Sequence, residues 1–486
     1  MTYLLRNLVL LHVLLLVLFL TWVHGGTRAD HLQSVPWLLL LLLNVLVALP
    51  PTRKGESLPE ARQRVWRGLR KDPLLYIGLC LNGLLLLQWI NGGHAPEVHA
   101  GAGSDNAARL WLPFSVSSAE SIQQLYWFPS VTLAVLAVRH GVPRAGQRRL
   151  LLYLVWGGAA LAAFGWIQWI SGTQSLFWIT PLSDHFFASF GYENHAGAFF
   201  TLLFAVSGGI WFQACMDKDE KVRAHWYLVP MLLNASGAFG SISRAAMLLT
   251  MTILVVGGGF ALWASWKRVQ LGTRVKAITY AGLVIAVSIG LYFAFPDGLV
   301  RKKLDRIHIS TFYEDTIGGR MYQYQSAWAM TKDHPLFGVG GWGYRHFVHQ
   351  FVTPEILEKM AKGAGQANVH NDTLQFLAEH GLVGFGLMLS VAIVLLVPIL
   401  RGAWRMLITP PLVDWDNPYY PPLQRVPAVI YAVLAGTLAT VIHSMIDLPF
   451  RSPAILVTWG LCLACAPAFM PRAVVASGTK VKAMNG

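Results

Sequence analysis

About 20 consecutive apolar residues, wound as a helix, cross the roughly 30 Å hydrocarbon core of a bilayer, and this sequence repeats runs of that kind almost from end to end. Twelve can be marked, at roughly 3–23, 36–50, 74–91, 124–138, 150–170, 194–213, 225–240, 245–265, 277–296, 381–400, 426–446 and 453–470. The second and seventh are short, as a tilted or partly buried span would be. The first has Arg6 as its one upstream cation and no small-residue cleavage site before His24, so it reads as an uncleaved helix rather than a signal peptide. Only 13% of the 486 residues are charged, against about 25% in soluble domains. With a mean hydropathy of +0.48 this excludes a soluble enzyme. The expected fold is an all-α polytopic membrane protein of about 12 transmembrane helices: helices 1–9 in 1–296, one large loop domain at 297–380, and helices 10–12 with a tail in 381–486.

A net charge of +14 invites a nucleic-acid reading, but the cations fall in short clusters between apolar runs, where they orient the chain in the membrane. With the N-terminus in the cytoplasm, 25 of the 38 lysines and arginines are cytoplasmic. Nine of the remaining 13 lie in 297–380, a segment long enough to translocate regardless of its charge. That segment then faces the non-cytoplasmic side, as does a shorter loop at 92–123 carrying His94, His99 and Asp105. The four cysteines lie in or beside apolar runs, and the C-x-x-C at Cys462 and Cys465 has no histidine partner, so neither a disulfide framework nor a metal site is expected.

The residues that can carry chemistry gather at the exterior ends of the runs. His370 and Asn371 precede the tenth run, with Glu379 and His380 at its mouth; an imidazole there can accept a proton from a hydroxyl, or can simply hydrogen-bond its loop. Arg244 stands in a two- to four-residue break between the seventh and eighth runs. A charge near hydrocarbon wants an anionic partner, and a phosphate fits the guanidinium fork; lipid headgroups or a carboxylate such as Asp447 are the alternatives. Arg320, Arg345 and Arg451 add cations on the same side, and His443 and Asp447 flank the end of the eleventh run. Asn194 and His195 open the sixth run, where they either bind a sugar or phosphate or cap a helix. Gly338, Gly340 and Gly343 satisfy G-x-G-x-x-G, but no strand–helix unit surrounds them, so a nucleotide site is not expected. No Walker A motif, H-E-x-x-H or acidic metal cluster occurs.

In their order along the chain, Arg244 in the R-x-x-x-L segment Arg244–Leu248, Arg320, the glycine turn, and His370-Asn371 followed after nine residues by Gly381-x-x-Gly384 give a pattern that resembles the O-antigen ligase and Wzy-type polymerase superfamily of bacterial envelope glycosyltransferases. The segment GYENHAGAFF is similar to an Asn-bearing segment of that family, with Ala196 where an aromatic is commoner. The similarity covers about 190–390 and the last two runs; the first 120 residues carry none of it.

The resemblance implies a twelve-helix enzyme of the bacterial inner membrane with its active site in the periplasmic loop. It implies transfer of a glycan from polyprenyl diphosphate to an acceptor sugar hydroxyl with no metal, nucleotide sugar or other cofactor. His370 is then the candidate base, and Arg244 and Arg320 hold the diphosphate; Asn371, Asn194, His195, Arg345 and Arg451 are candidate substrate contacts. The expected partners are the lipid-linked donor, a lipid A-core or glycan acceptor, and membrane lipids. Ligation to lipid A-core ranks first because both short motifs take the ligase form; polymerisation ranks second and transfer to protein third. A transporter of lipid-linked glycan is the reading from another class, but transport sites favour the bilayer midplane, and these candidates sit at one face.

Overall fold

The computed structural model of the chain describes residues 7–92, 112–182, 186–216, 221–267, 320–354, 368–408 and 425–471. In chain order its main helices are α1 (Leu8–Trp22), α2 (Val35–Ala48), α3 (Leu58–Lys71), α4 (Pro73–Ile90), α5 (Ser118–Gly141), α6 (Arg144–Ile170), α7 (Glu193–Met216), α8 (Lys221–Gly240), α9 (Arg244–Lys267), α10 (Met321–Asp333), α11 (Asp372–Ile408), α12 (Ala428–Ser444) and α13 (Pro453–Cys465). A two-stranded antiparallel ribbon, β1 (Ser175–Leu176) with β2 (Thr180–Pro181), is the sheet among the described residues.

Among the described residues, six helices are long and apolar enough to cross a membrane: Ala29–Ala48, α4, α5, α6, α7 and α11. Four shorter apolar helices, Leu8–Trp22, Arg244–Phe260, Ala428–Ser444 and Pro453–Phe469, match further runs, and α8 matches the seventh. The ninth run lies outside the described residues, as do His94, His99, Asp105 and much of the 297–380 segment. The chain is therefore an all-α protein with the helices of a multi-pass membrane protein. One helix was not expected. The loop at 51–73 holds α3, whose start is closed by a reciprocal Ser57–Glu60 capping box and whose face of Ala61, Val65 and Leu69 is buried under a basic outer surface.

The chain divides into two compact units. The first comprises 1–141, 302–394 and 441–457; the second comprises 142–301, 395–440 and 458–486. In the first unit, α4 buries Leu74, Gly78, Leu81, Leu84, Leu85 and Gln88 at helical spacing, while Leu79, Leu87 and Ile90 stay exposed, as lipid-facing positions of a span do. At the start of α4, Asp72 accepts from Leu74 N (3.1 Å), and it also meets Arg139 Nη1 (3.1 Å) and His140 Nε2 (2.9 Å) from the end of α5. At the far ends of the same helices, α10 and the 335–348 segment enclose a core of Phe114, Ala327, Met330, Val339, Tyr344, Phe347, Val369 and Ala378.

The apolar run that begins at 381 starts at a break in α11. Gly381 has φ +61° and ψ −169°, a conformation reserved in practice for glycine. A Cβ at Gly381 would stand 2.4 Å from the Leu336 carbonyl carbon, and one at Gly338 would stand 2.4 Å from the Glu379 carbonyl carbon. Two backbones thus meet face to face. Val339 N donates to Ala378 O (3.0 Å), Gly340 N to Glu379 O (2.8 Å) and Leu382 N to Pro335 O (2.8 Å). The glycine-rich turn read from the sequence is this interlock, which fixes the 335–343 segment to the broken helix.

In the second unit α7 is buried on nearly every side, the pattern of a helix packed among others. Small residues permit the close approaches: Gly197 faces Ala246 and Ser243, and Gly237 faces Phe200.

Candidate functional site

His370 sits in the short link ahead of α11 with φ +54°, an unusual conformation for a side chain that size. Such a backbone costs on the order of 1–3 kcal/mol and persists only where its surroundings enforce it. Three contacts do so in the first unit. Asn371 Oδ1 accepts from Leu374 N (3.1 Å), capping the helix, while its Nδ2 donates to Met445 O (2.9 Å); Tyr324 Oη lies 3.5 Å from His370 O.

The turn after α12 then brings Asp447 to the imidazole. Its Oδ2 lies 3.5 Å from His370 Nδ1 and 3.8 Å from Arg320 Nη2, and Arg320 Nη1 also donates to Ile446 O. Asp447 is 2% exposed. Burial alone would raise its pKa, but the neighbouring His370, Arg320 and His443 outweigh burial and hold it below the usual carboxylate range. An ionised carboxylate facing Nδ1 favours the tautomer with the proton there and leaves Nε2 to act as base. Burial raises the neighbouring Tyr324 phenol above its ordinary value.

Arg451 occupies a different place. It is 3% exposed, with Nη2 2.7 Å from Glu379 Oε2 and Nε 4.0 Å from Asp372 Oδ1. Its guanidinium lies over the Trp342 ring at 4.8 Å, and that of Arg345 lies over the same ring at 4.3 Å. Arg345 also approaches Glu120 Oε1 (3.7 Å). His380 is fully buried, its Nδ1 2.8 Å from Gln88 Oε1.

Asn194, His195 and Arg244 belong to the second unit. There the openings of α7 and α9 lie side by side: Ser243 Oγ donates to Asn194 Oδ1 (2.5 Å), and Asn194 Nδ2 donates to Tyr192 Oη (2.8 Å). Arg244 is the first residue of α9 and is partly buried. His195 is mostly buried, its ring edge-on to Tyr192 at 4.9 Å. Two motifs 50 residues apart in sequence are thus neighbours through Asn194 and Ser243.

The structure therefore groups His370, Asn371 and Arg320 in the first unit, sets Arg451 and Arg345 about Trp342 there, and pairs Asn194 with the Arg244 turn in the second. Sequence reasoning missed Asp447 as a partner of His370. The available signal was a carboxylate in the five-residue segment Asp447 to Arg451, between two apolar runs. Among the described residues no cluster of three or more histidines, cysteines or carboxylates is placed to hold a metal ion.

Comparison with known proteins finds one similarity. Residues 229–389 match the family model of the O-antigen ligases. The matched stretch is about a third of the chain and contains Arg244, Arg320, the glycine turn and His370, so the similarity to the O-antigen ligase and Wzy-type superfamily falls on the segments that carry the sequence resemblance. A search of curated proteins finds no match to the chain. The family supports glycan-transfer chemistry of the ligase and polymerase kind in a multi-pass bacterial membrane protein, with a lipid-linked glycan and an acceptor as partners in general terms.

Proposed function

We propose that this protein is an O-antigen ligase, transferring a glycan from polyprenyl diphosphate to a sugar hydroxyl of lipid A-core at the periplasmic face of the inner membrane. The observation that carries the reading is the His370 imidazole 3.5 Å from the buried Asp447 carboxylate with Arg320 alongside. As the acceptor oxygen bonds to the anomeric carbon, its proton passes to His370 Nε2. The bond from that carbon to the diphosphate oxygen breaks, and its electron pair leaves with the diphosphate. Arg320 neutralises the charge gathering there. Because the diphosphate is already a good leaving group, positioning and charge neutralisation meet the chemical demand, and no metal is required in this scheme.

Deleting the gene and restoring it as wild type or His370→Ala tests the reading. Loss of ligation predicts long polymer retained on polyprenyl diphosphate while lipid A-core stays bare. Absence of long polymer, with single repeats accumulating, would identify a polymerase instead, and unchanged glycans would refute both.

A further inference from the structure

We propose that Glu379 and Gln375 are positioning residues for this reaction, forming a buried relay that couples the His370 loop to the Asp447 turn; the proposal rests on the glycan-transfer reading above. Glu379 and Gln375 are both fully buried, one helical turn apart at the start of α11. Gln375 Oε1 accepts from Val369 N (2.9 Å), the residue before His370. With that oxygen committed, its Nε2 must donate, and it does so to Asn368 Oδ1 (3.3 Å) and Glu379 Oε1 (2.9 Å). The other Glu379 oxygen, Oε2, meets Arg451 Nη2 (2.7 Å) and accepts from Gln124 Nε2 (3.4 Å).

Arg451 closes the path. It lies four residues beyond Asp447, in the turn that Phe450 N ties to Asp372 Oδ2 (2.9 Å). One carboxylate therefore holds the loop bearing the imidazole with one oxygen and the turn bearing its partner carboxylate with the other. Both oxygens of Glu379 must accept, because donors face it from both sides. An amide in its place would set a donor against either Gln375 or Arg451. The strained φ of His370 makes its placement depend on such support.

The polarity of the relay supplies its own test. The double variant Glu379→Gln with Gln375→Glu moves the carboxylate one turn: the amide now at 379 accepts from Arg451 and donates to 375, whose oxygens still receive Val369 N, and Asn368 turns its amide to donate where its oxygen accepted. The full-length protein is placed in vesicles with a lipid extract from the deletion strain, which supplies donor and acceptor, and transfer is followed as the extract is titrated.

Glu379→Gln is expected to lower kcat roughly thirtyfold to hundredfold, as small misplacements of reacting groups do, with half-saturation moving less than about twofold and the double variant regaining at least about a third of the rate. An unchanged kcat in Glu379→Gln overturns the relay. So does a loss shared by kcat and half-saturation that the double variant fails to restore, which marks a general structural role. If Glu379→Gln is not recovered from membranes, Gln375→Met, which keeps the Arg451–Glu379 pair, decides by the same readouts. His370→Ala runs alongside: normal transfer there removes the functional reading itself, whereas an inactive His370→Ala with normal relay variants removes the relay alone.

Discussion

Asp447→Asn changes one oxygen of the candidate site to an amide nitrogen with almost no change in shape. Asp447 Oδ1 accepts from Leu448 N (2.8 Å), and Oδ2 faces His370 Nδ1 and Arg320 Nη2. If the asparagine keeps its oxygen on Leu448 N, its amide donors turn toward His370 and Arg320, and the imidazole must present a lone pair at Nδ1. The proton then sits on Nε2, where it blocks the base. If the amide flips, the Leu448 bond is lost inside the protein. An orienting carboxylate of this kind is worth roughly 10²–10⁴ in rate, or about 3–5 kcal/mol of transition-state stabilisation. Because the substitution acts through the imidazole and leaves Arg320 tied to Ile446 O, half-saturation should shift no more than a few-fold.

The pH behaviour follows with its sign. Asp447 is held below its ordinary value, so its stabilising charge is fully present above about pH 4 and is lost as pH falls through the lowered value. The defect of Asp447→Asn should therefore be present throughout about pH 5 to 8. Transfer by vesicle-reconstituted protein, measured across that range, is the assay. A variant retaining more than about half the wild-type rate would refute the assignment, as would a defect confined to half-saturation.

Gly381→Ala should be among the most damaging single changes, because a Cβ there meets the Leu336 carbonyl carbon at 2.4 Å on a backbone at φ +61°; about 3 kcal/mol of stability or more should go, read as a lower melting temperature in detergent. Asp72→Asn keeps an oxygen to cap the helix but removes the anionic partner of Arg139 and His140, costing about 1–3 kcal/mol at neutral pH. Burial would raise the Asp72 pKa, but His140 and Arg139 hold it below its ordinary value, so the gap between variant and wild type should close as pH falls below about 4, seen by melting at several pH values. Ser243→Ala takes away the hydroxyl that joins α9 to Asn194 and should lower transfer several-fold with a stability loss of about 1 kcal/mol, separable by comparing rates with melting temperatures.

How much of this was legible beforehand varies with the physics involved. Apolar runs report burial directly, so spans such as 74–91 and 194–213 emerge as α4 and α7 within a few residues. The start of the tenth run at 381 coincides with the Gly381 break, but the run alone could not show that Asp372–His380 continues the helix on the other side, since Gln375 and Glu379 are polar and yet buried. Burial of such groups depends on partners distant in sequence, here Gln124 and Arg451, which no local pattern reveals. Glycine spacing suggested a turn at 338–343 without saying that the turn docks on 378–383. Helix α3 does not stand out in the sequence because its composition is basic and its apolar stripe of Ala61, Val65 and Leu69 is only three residues long. His370 and Arg320 could be named from type and position. Asp447 needed the fold, because 77 residues separate it from His370.

The most direct test of the central claim is the stoichiometry of transfer by the purified full-length protein in vesicles. Wild type should release one polyprenyl diphosphate for each glycan joined to acceptor, and His370→Ala, inserted and stable, should release none. Undiminished release and transfer by His370→Ala, or glycan crossing the vesicle membrane with its diphosphate bond intact, would contradict the account.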